Sequence, residues 1–202
     1  MRNAYFPFVI ALVFLYVSCK NDSNPVATIP VAEIVPLKIG NSWTASQTNY
    51  DTLGNIVSSV EFTSSVTKDT TVLGKTFFFT ASGDSRPWRM NTDTGLVHVK
   101  YPFYFSDPPS LYLDYKYPTS VGDFFRRDDL DGKVIATNVT VQVPAGTFSC
   151  IKYEFSYGLR LFEVYVQPGV GEVKTVSYFA LNPYSRKDSV SSIIVLNSYH
   201  LN

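Results

Sequence analysis

The chain has 202 residues, 17 basic and 17 acidic side chains, a mean hydropathy of +0.02 and 15% aromatic residues. That charge balance supplies no field to gather a polyanion, which argues against nucleic acid as a partner. Its two cysteines, Cys19 and Cys150, exclude a disulfide-rich scaffold.

Residues 1–18 have the layout of a secretory signal peptide: basic Arg2, an apolar run from Ala4 to Val17, then small Ser18. The run is shorter than the ~20 residues that a membrane span needs. Cys19 follows directly, and Leu15 to Cys19 resembles a bacterial lipobox, with Tyr16 where leucine is usual. The resemblance implies cleavage before Cys19 and acylation of its thiol, palmitate being the expected chain. Cys150 is then the only thiol left, and it reads as a small residue packed in a strand. Residues 19–35 are polar and carry Pro25 and Pro30 without a hydrophobic period, so they read as the lipidated cysteine and a flexible tether. The expected location is the cell envelope, at the outer membrane, held through Cys19.

Residues 36–202 are read as one β domain, long enough to bury a substantial core. Val60, Phe62 and Val66 alternate with polar residues, as do Val139, Val141 and Val143, and then Ile151, Tyr153, Phe155 and Tyr157. A period of two places each apolar set on one sheet face. Short turns punctuate the strands at Leu53-Gly54-Asn55, Asp93-Thr94-Gly95, Asp131-Gly132, Pro144-Ala145-Gly146 and Pro168-Gly169. Pro144-Ala145-Gly146 predicts a type I turn closed by a left-handed glycine, and Pro168-Gly169 a type II turn. Strands this closely spaced leave no room for parallel crossovers. The fold class is therefore all-β, an antiparallel sandwich or a strongly curved, partly open β-barrel. One motif recurs: Pro36-Leu37-Lys38-Ile39-Gly40-Asn41-Ser42-Trp43 aligns with Pro118-Thr119-Ser120-Val121-Gly122-Asp123-Phe124-Phe125. It predicts the same lead-in turn twice, each dropping an aromatic into the core.

No nucleophile elbow or phosphate-cradling glycine loop occurs, so no catalytic residue, cofactor or metal is assigned. Asp128, Asp129 and Asp131 lack the ligand series of a calcium loop and read as a solvated hairpin turn on Asp131-Gly132, neutralised by Arg126 and Arg127. His98 alternates with Val97 and Val99 and should face away from them; His200 is isolated near the C-terminus. Asp51-Thr52-Leu53, Asp69-Thr70-Thr71 and Asp188-Ser189-Val190 resemble the short O-glycosylation sequon of Bacteroidota. The densest aromatic segment, from Tyr101 to Tyr117, supplies the candidate binding surface: Tyr101, Phe103, Tyr104, Phe105, Tyr112 and Tyr115. Its prolines argue against a central strand, and aromatics with polar tips suit recognition. The competing reading makes the segment a cap over an open end of the core.

The lead-in motif, Val143-Pro144-Ala145-Gly146-Thr147-Phe148 and Pro168-Gly169-Val170-Gly171 together resemble uncharacterised envelope lipoproteins of Bacteroidota-type bacteria, near the TapB-like domains of unknown function. The resemblance implies an exported all-β domain and carries no catalytic residues. Three functions remain open on the sequence. The preferred one is a non-enzymatic envelope lipoprotein binding a ligand or an envelope protein partner; the others are a lipid or acyl-chain carrier and a hydrolase. An apolar cavity open at one end would favour the carrier.

Overall fold

A computed structural model describes residues 33–72, 74–81, 88–100, 109–158, 160–179 and 189–202. All of them belong to one compact unit, Val31–Asn202. The first six strands are β1 (Ser42–Tyr50), β2 (Ile56–Val72), β3 (Lys75–Ala81), β4 (Trp88–Thr92), β5 (Gly95–Lys100) and β6 (Ser110–Lys116). The second six are β7 (Phe124–Arg127), β8 (Leu130–Val143), β9 (Gly146–Tyr157), β10 (Arg160–Gln167), β11 (Gly171–Phe179) and β12 (Ser189–His200). Every pairing is antiparallel, and the order β6-β5-β4-β3-β2-β1-β12-β11-β10-β9-β8-β7 is two meanders joined where the first strand meets the last. The sheet curls into a nearly closed barrel, which decides between the two predicted architectures.

The recurring motif begins each meander, and its two copies make the same bonds. Gly40 N donates to Val66 O at 2.9 Å and Val66 N to Asn41 O at 2.8 Å; Gly122 and Val134 N donate to Val134 and Asp123 O, both at 2.9 Å. The glycines have φ of +95° and +91°, where a Cβ would be strained. Trp43 and Phe125 then enter the core, Phe125 lying edge-on to Tyr153 and Phe155. Both predicted proline-glycine turns also form with positive φ, +137° at Gly146 and +82° at Gly169.

Alternation along the strands fills the interior with Trp43, Val66, Leu96, Tyr115, Val134, Tyr153, Phe155, Val164 and Leu196, while Lys152 and Glu154 point outward. On β5 both faces are covered: Val97 and Val99 join Val72 and Phe77 in a second apolar cluster, and His98 faces the other way. The globular part also starts earlier than residue 36. Ile34 and Val35, placed in the tether by composition, are buried core residues, and Glu33 O accepts a hydrogen bond from Gly169 N. Two apolar side chains beside a proline were too short a run to register as a pattern.

The barrel has two different seams. β1 and β12 close one with a full register from Ser42↔His200 to Asn49↔Ser192. At the other, β6 and β7 adjoin without a hydrogen-bonded register among the described residues, and side chains bridge them. Arg127 on β7 meets Asp114 on β6 at 3.1 Å, and Lys116 meets Asp123 at 3.0 Å.

Candidate functional site in the barrel interior

The inward faces of β1, β2, β3, β4, β11 and β12 enclose a cavity of about 450 Å³. Trp43, Ala45, Phe62, Val173, Ile194 and Leu196 supply its apolar lining, and Gln47, Thr63, Ser64, Thr80, Arg89, Glu172, Lys174 and Thr175 make the rest polar. Trp43 is fixed by its indole N–H, which donates to Val170 O at 2.7 Å. Burial falls off toward one end. Thr80 and Arg89 are 5% and 8% exposed, whereas Phe62 is 37% and Val60 on the same strand 53% exposed. Phe62 therefore stands at an open mouth and Thr80 with Arg89 at the closed end. Phe62 and Val60 obey the predicted alternation, but they lie where the barrel no longer covers them.

Behind the closed end lies a charged cluster. Two guanidinium groups converge on one carboxylate: Arg89 Nε is 3.3 Å and Arg127 Nε 3.1 Å from Asp114, whose side chain is fully buried. His98 Nδ1 is 3.0 Å from the same carboxylate, and its Nε2 is 3.4 Å from Asp128. Burial alone would raise the Asp114 pKa, but the His98 hydrogen bond and the charges of Arg127 and Arg89 outweigh it and hold the carboxyl well below the usual range. Tyr115 donates its hydroxyl to Glu172 Oε1 at 2.7 Å, and burial beside that carboxylate raises the phenol's pKa well above its ordinary value. The Arg127 guanidinium lies over the Tyr115 and Phe155 rings, 5.2 and 5.0 Å from their centroids. Among the described residues no group of three or more His, Cys, Asp or Glu side chains is placed to hold a metal ion.

The predicted site residues separate. Cys19, Tyr101, Phe103, Tyr104 and Phe105 lie outside the described residues. Tyr112 is half-buried on β6, its ring stacked 5.7 Å from that of His98 with Lys100 above it. Tyr115 is not a surface residue: it is fully buried in the core, against Tyr153 and Phe155. A spacing of three would put it on the face opposite Tyr112, but the register shift at Leu96/Val97 pairs Tyr112 with His98 and Tyr115 with Leu96 and so turns both to one face, where Tyr115 is the more deeply covered. His98 faces away from its valines as predicted, but it is 2% exposed and held by carboxylates on both sides. The β7–β8 turn falls at Asp128-Asp129, not at Asp131-Gly132, which lie within β8. Phe125 requires this register, since its ring lies against the place a Cβ on Gly132 would occupy. Asp128 takes a φ of +53°, tolerable for aspartate, and its carboxylate points to His98 and Lys100 rather than to solvent. Sequence reasoning missed Thr80, Arg89, Asp114, Arg127 and Glu172. The available signal was a charge on the inward phase of an apolar strand, as Asp114 between Leu113 and Tyr115.

No protein-family profile and no curated protein matches the chain. Solved structures similar to it include a protein assigned as exported, with a YmcC-like fold, from Bacteroides fragilis NCTC 9343. It is 16% identical, with a TM-score of 0.44 over 84% of this chain and 100% of that one. A second, assigned as a lipoprotein, comes from Parabacteroides distasonis ATCC 8503. It is also 16% identical, with a TM-score of 0.42 over 84% of this chain and 99% of that one.

Proposed function

We propose that the chain is a lipid-anchored cell-envelope protein whose barrel binds a small, largely apolar ligand in its interior. The observation that carries this reading is the cavity of about 450 Å³, lined by Trp43, Ala45, Val173, Ile194 and Leu196 among polar side chains and open beside Phe62. Its size lies within the ~300–1,000 Å³ typical of small-molecule sites. Among the three functions left open by the sequence, a one-ended interior cavity with an aromatic and aliphatic patch favours the carrier-like one over recognition by an exposed aromatic loop. The buried cluster supplies no general acid at Asp114. Asp114 stays ionised and engages Arg89, Arg127 and His98, so it is no proton donor at neutral pH. Membrane attachment through Cys19 rests on the signal-like segment and lipobox-like residues.

Fluorescence of N-phenyl-1-naphthylamine, a neutral apolar probe, tests the cavity. The residue 33–202 domain should enhance its emission saturably, with one site per chain. Ala45→Phe, which projects a ring into the cavity, should abolish the enhancement while the protein still melts cooperatively. Unsaturable binding, or equal binding by Ala45→Phe, would remove the interior site. Native mass spectrometry of the protein from its own host should then show the co-purified ligand.

A further inference from the structure

We infer that a second copy of this chain docks on the open edge of β2, antiparallel and centred on Val60, so that two barrels share one continuous sheet. The inference stands independently of the interior ligand.

β2 outruns one of its neighbours. Its pairing with β1 extends from Ser65 to Ile56, whereas its pairing with β3 starts at Ser65 and runs the other way. Residues 56–63 are exposed throughout, and among the described residues no strand lies along their far side. The direction of the open backbone groups follows from the lead-in turn. Val66 directs both its N–H and its C=O to that side, to Asn41 O and Gly40 N. The bonding side alternates along a strand, so Thr63, Glu61 and Ser59 direct theirs to the open edge. Edges are usually blunted by lysine, proline or an inward charge. Residues 56–64 hold no lysine or proline, and their single charge is drawn back: Glu61 Oε2 accepts from Asn197 Nδ2 at 2.7 Å, across β1. Thr63 leans the same way, its hydroxyl 2.9 Å from that of Thr44. The edge is thus a bare ladder flanked by Ile56, Val57 and Val60, which are 68%, 67% and 53% exposed.

The chemistry of this edge selects the occupant. A bilayer would cover the apolar side chains but leave the backbone groups of Ser59, Glu61 and Thr63 unpaired in hydrocarbon, where open sheet edges do not occur. Another strand satisfies both. The free stretch is complementary to itself, because residues with outward backbone groups come opposite one another and centring on Val60 uses all of residues 56–64. Ser59 of each copy then exchanges both backbone bonds with Glu61 of the other, and no charge faces its like. Centring on Glu61 would set the two carboxylates opposite each other, which is unfavourable. Centring on Phe62 or Thr63 would run the incoming strand into β3 at Ala81. With Val60 at the centre, it meets its own equivalent and Phe62 lies diagonal to Val60 of the other copy, so apolar side chains that each barrel leaves open are covered.

The test is cysteine crosslinking of the full-length protein in its host cells under mild oxidation, with the wild type as background. In this register Val60 and its equivalent form a non-hydrogen-bonded pair with Cα atoms about 4.5 Å apart, within disulfide reach. Val60→Cys should therefore give a disulfide-linked dimer of doubled mass. Ser58→Cys and Phe62→Cys should each stay monomeric, because a residue two places from the centre lies roughly 13 Å from its equivalent. Expressed together, these two variants should link to each other, since Ser58 of one copy faces Phe62 of the other. All three side chains are exposed, so the substitutions should leave the barrel folded. Equal linking at all three positions would mean random collision and overturns the pairing, as does the absence of links at every position. Capture of a different envelope protein by Val60→Cys would give the edge to that protein and overturn self-association. Naphthylamine binding is a separate result, and its failure would remove the interior ligand while leaving this contact standing.

Discussion

Cys150 sits on β9 with no exposed surface, and burial pushes its thiol pKa up to about 11. The thiolate is the reactive form, so at pH 8 only about one thiol in a thousand is ready to react, before access is considered. The folded domain should therefore remain unlabelled by iodoacetamide over an hour at pH 8, and label fully in urea. Rapid labelling of the native protein would mean that β9 opens. Gly146 is the other residue whose role was legible from its neighbours alone. Its φ of +137° follows from the proline-alanine turn before it, and a β-branched side chain there is strained. Gly146→Val should lower stability by about 1–2 kcal/mol, read as a shift of the urea midpoint at constant slope. An unchanged midpoint would mean that the turn relaxes freely.

Strands were legible wherever a single face is buried, as in Ile151, Tyr153 and Phe155 on β9, because a period of two then appears in the sequence directly. They were harder to read where both faces are covered, as on β5, or where a register shift changes phase, as between Leu113 and Tyr115. The charged seam between β6 and β7 was illegible for a different reason: Arg89, His98 and Asp114 come together only through the pairing of β4, β5 and β6, and Arg127 on β7 joins them only when the sheet has curled. That seam lacks a hydrogen-bonded register among the described residues, so its side chains carry the closure. Asp114→Asn would leave two buried guanidinium groups without their shared carboxylate, at a cost of about 3–5 kcal/mol. The pH dependence has a definite sign. The folded pKa of Asp114 lies below its unfolded value of about 4, so its contribution is complete above that pH and is lost as pH falls further. Urea midpoints should fall steeply for the wild type below about pH 4, with a shallower slope for Asp114→Asn. Parallel acid limbs in the two proteins would show that this carboxylate does not govern the seam.

At the scale of the whole molecule, the recurring lead-in turn proves to mark two six-stranded meanders, each opened by the same glycine and the same pair of backbone bonds. The repeat was visible in the sequence because a positive-φ turn tolerates few residue types. The meanders behind it were not, since their inward positions diverged: one half places Arg89, His98 and Asp114 inside where the other places Tyr153, Phe155 and Val164. This asymmetry gives the barrel an apolar wall and a charged end, and its use depends on where the protein is held. Residues 20–32 can span at most about 45 Å when fully extended. A lipidated Cys19 would thus keep the cavity within one barrel's length of a bilayer, the source and sink for apolar-chained ligands. A single acyl chain holds a protein only marginally, so lasting attachment needs more than one chain. Cys19→Ser should move the protein from the membrane fraction to the soluble fraction and remove the acyl mass from its N-terminal peptide, without altering the melting of the barrel or its affinity for the naphthylamine probe. A Cys19→Ser protein that stays with the membrane, or a mature N-terminus elsewhere, would refute anchoring by this residue while leaving the interior site standing.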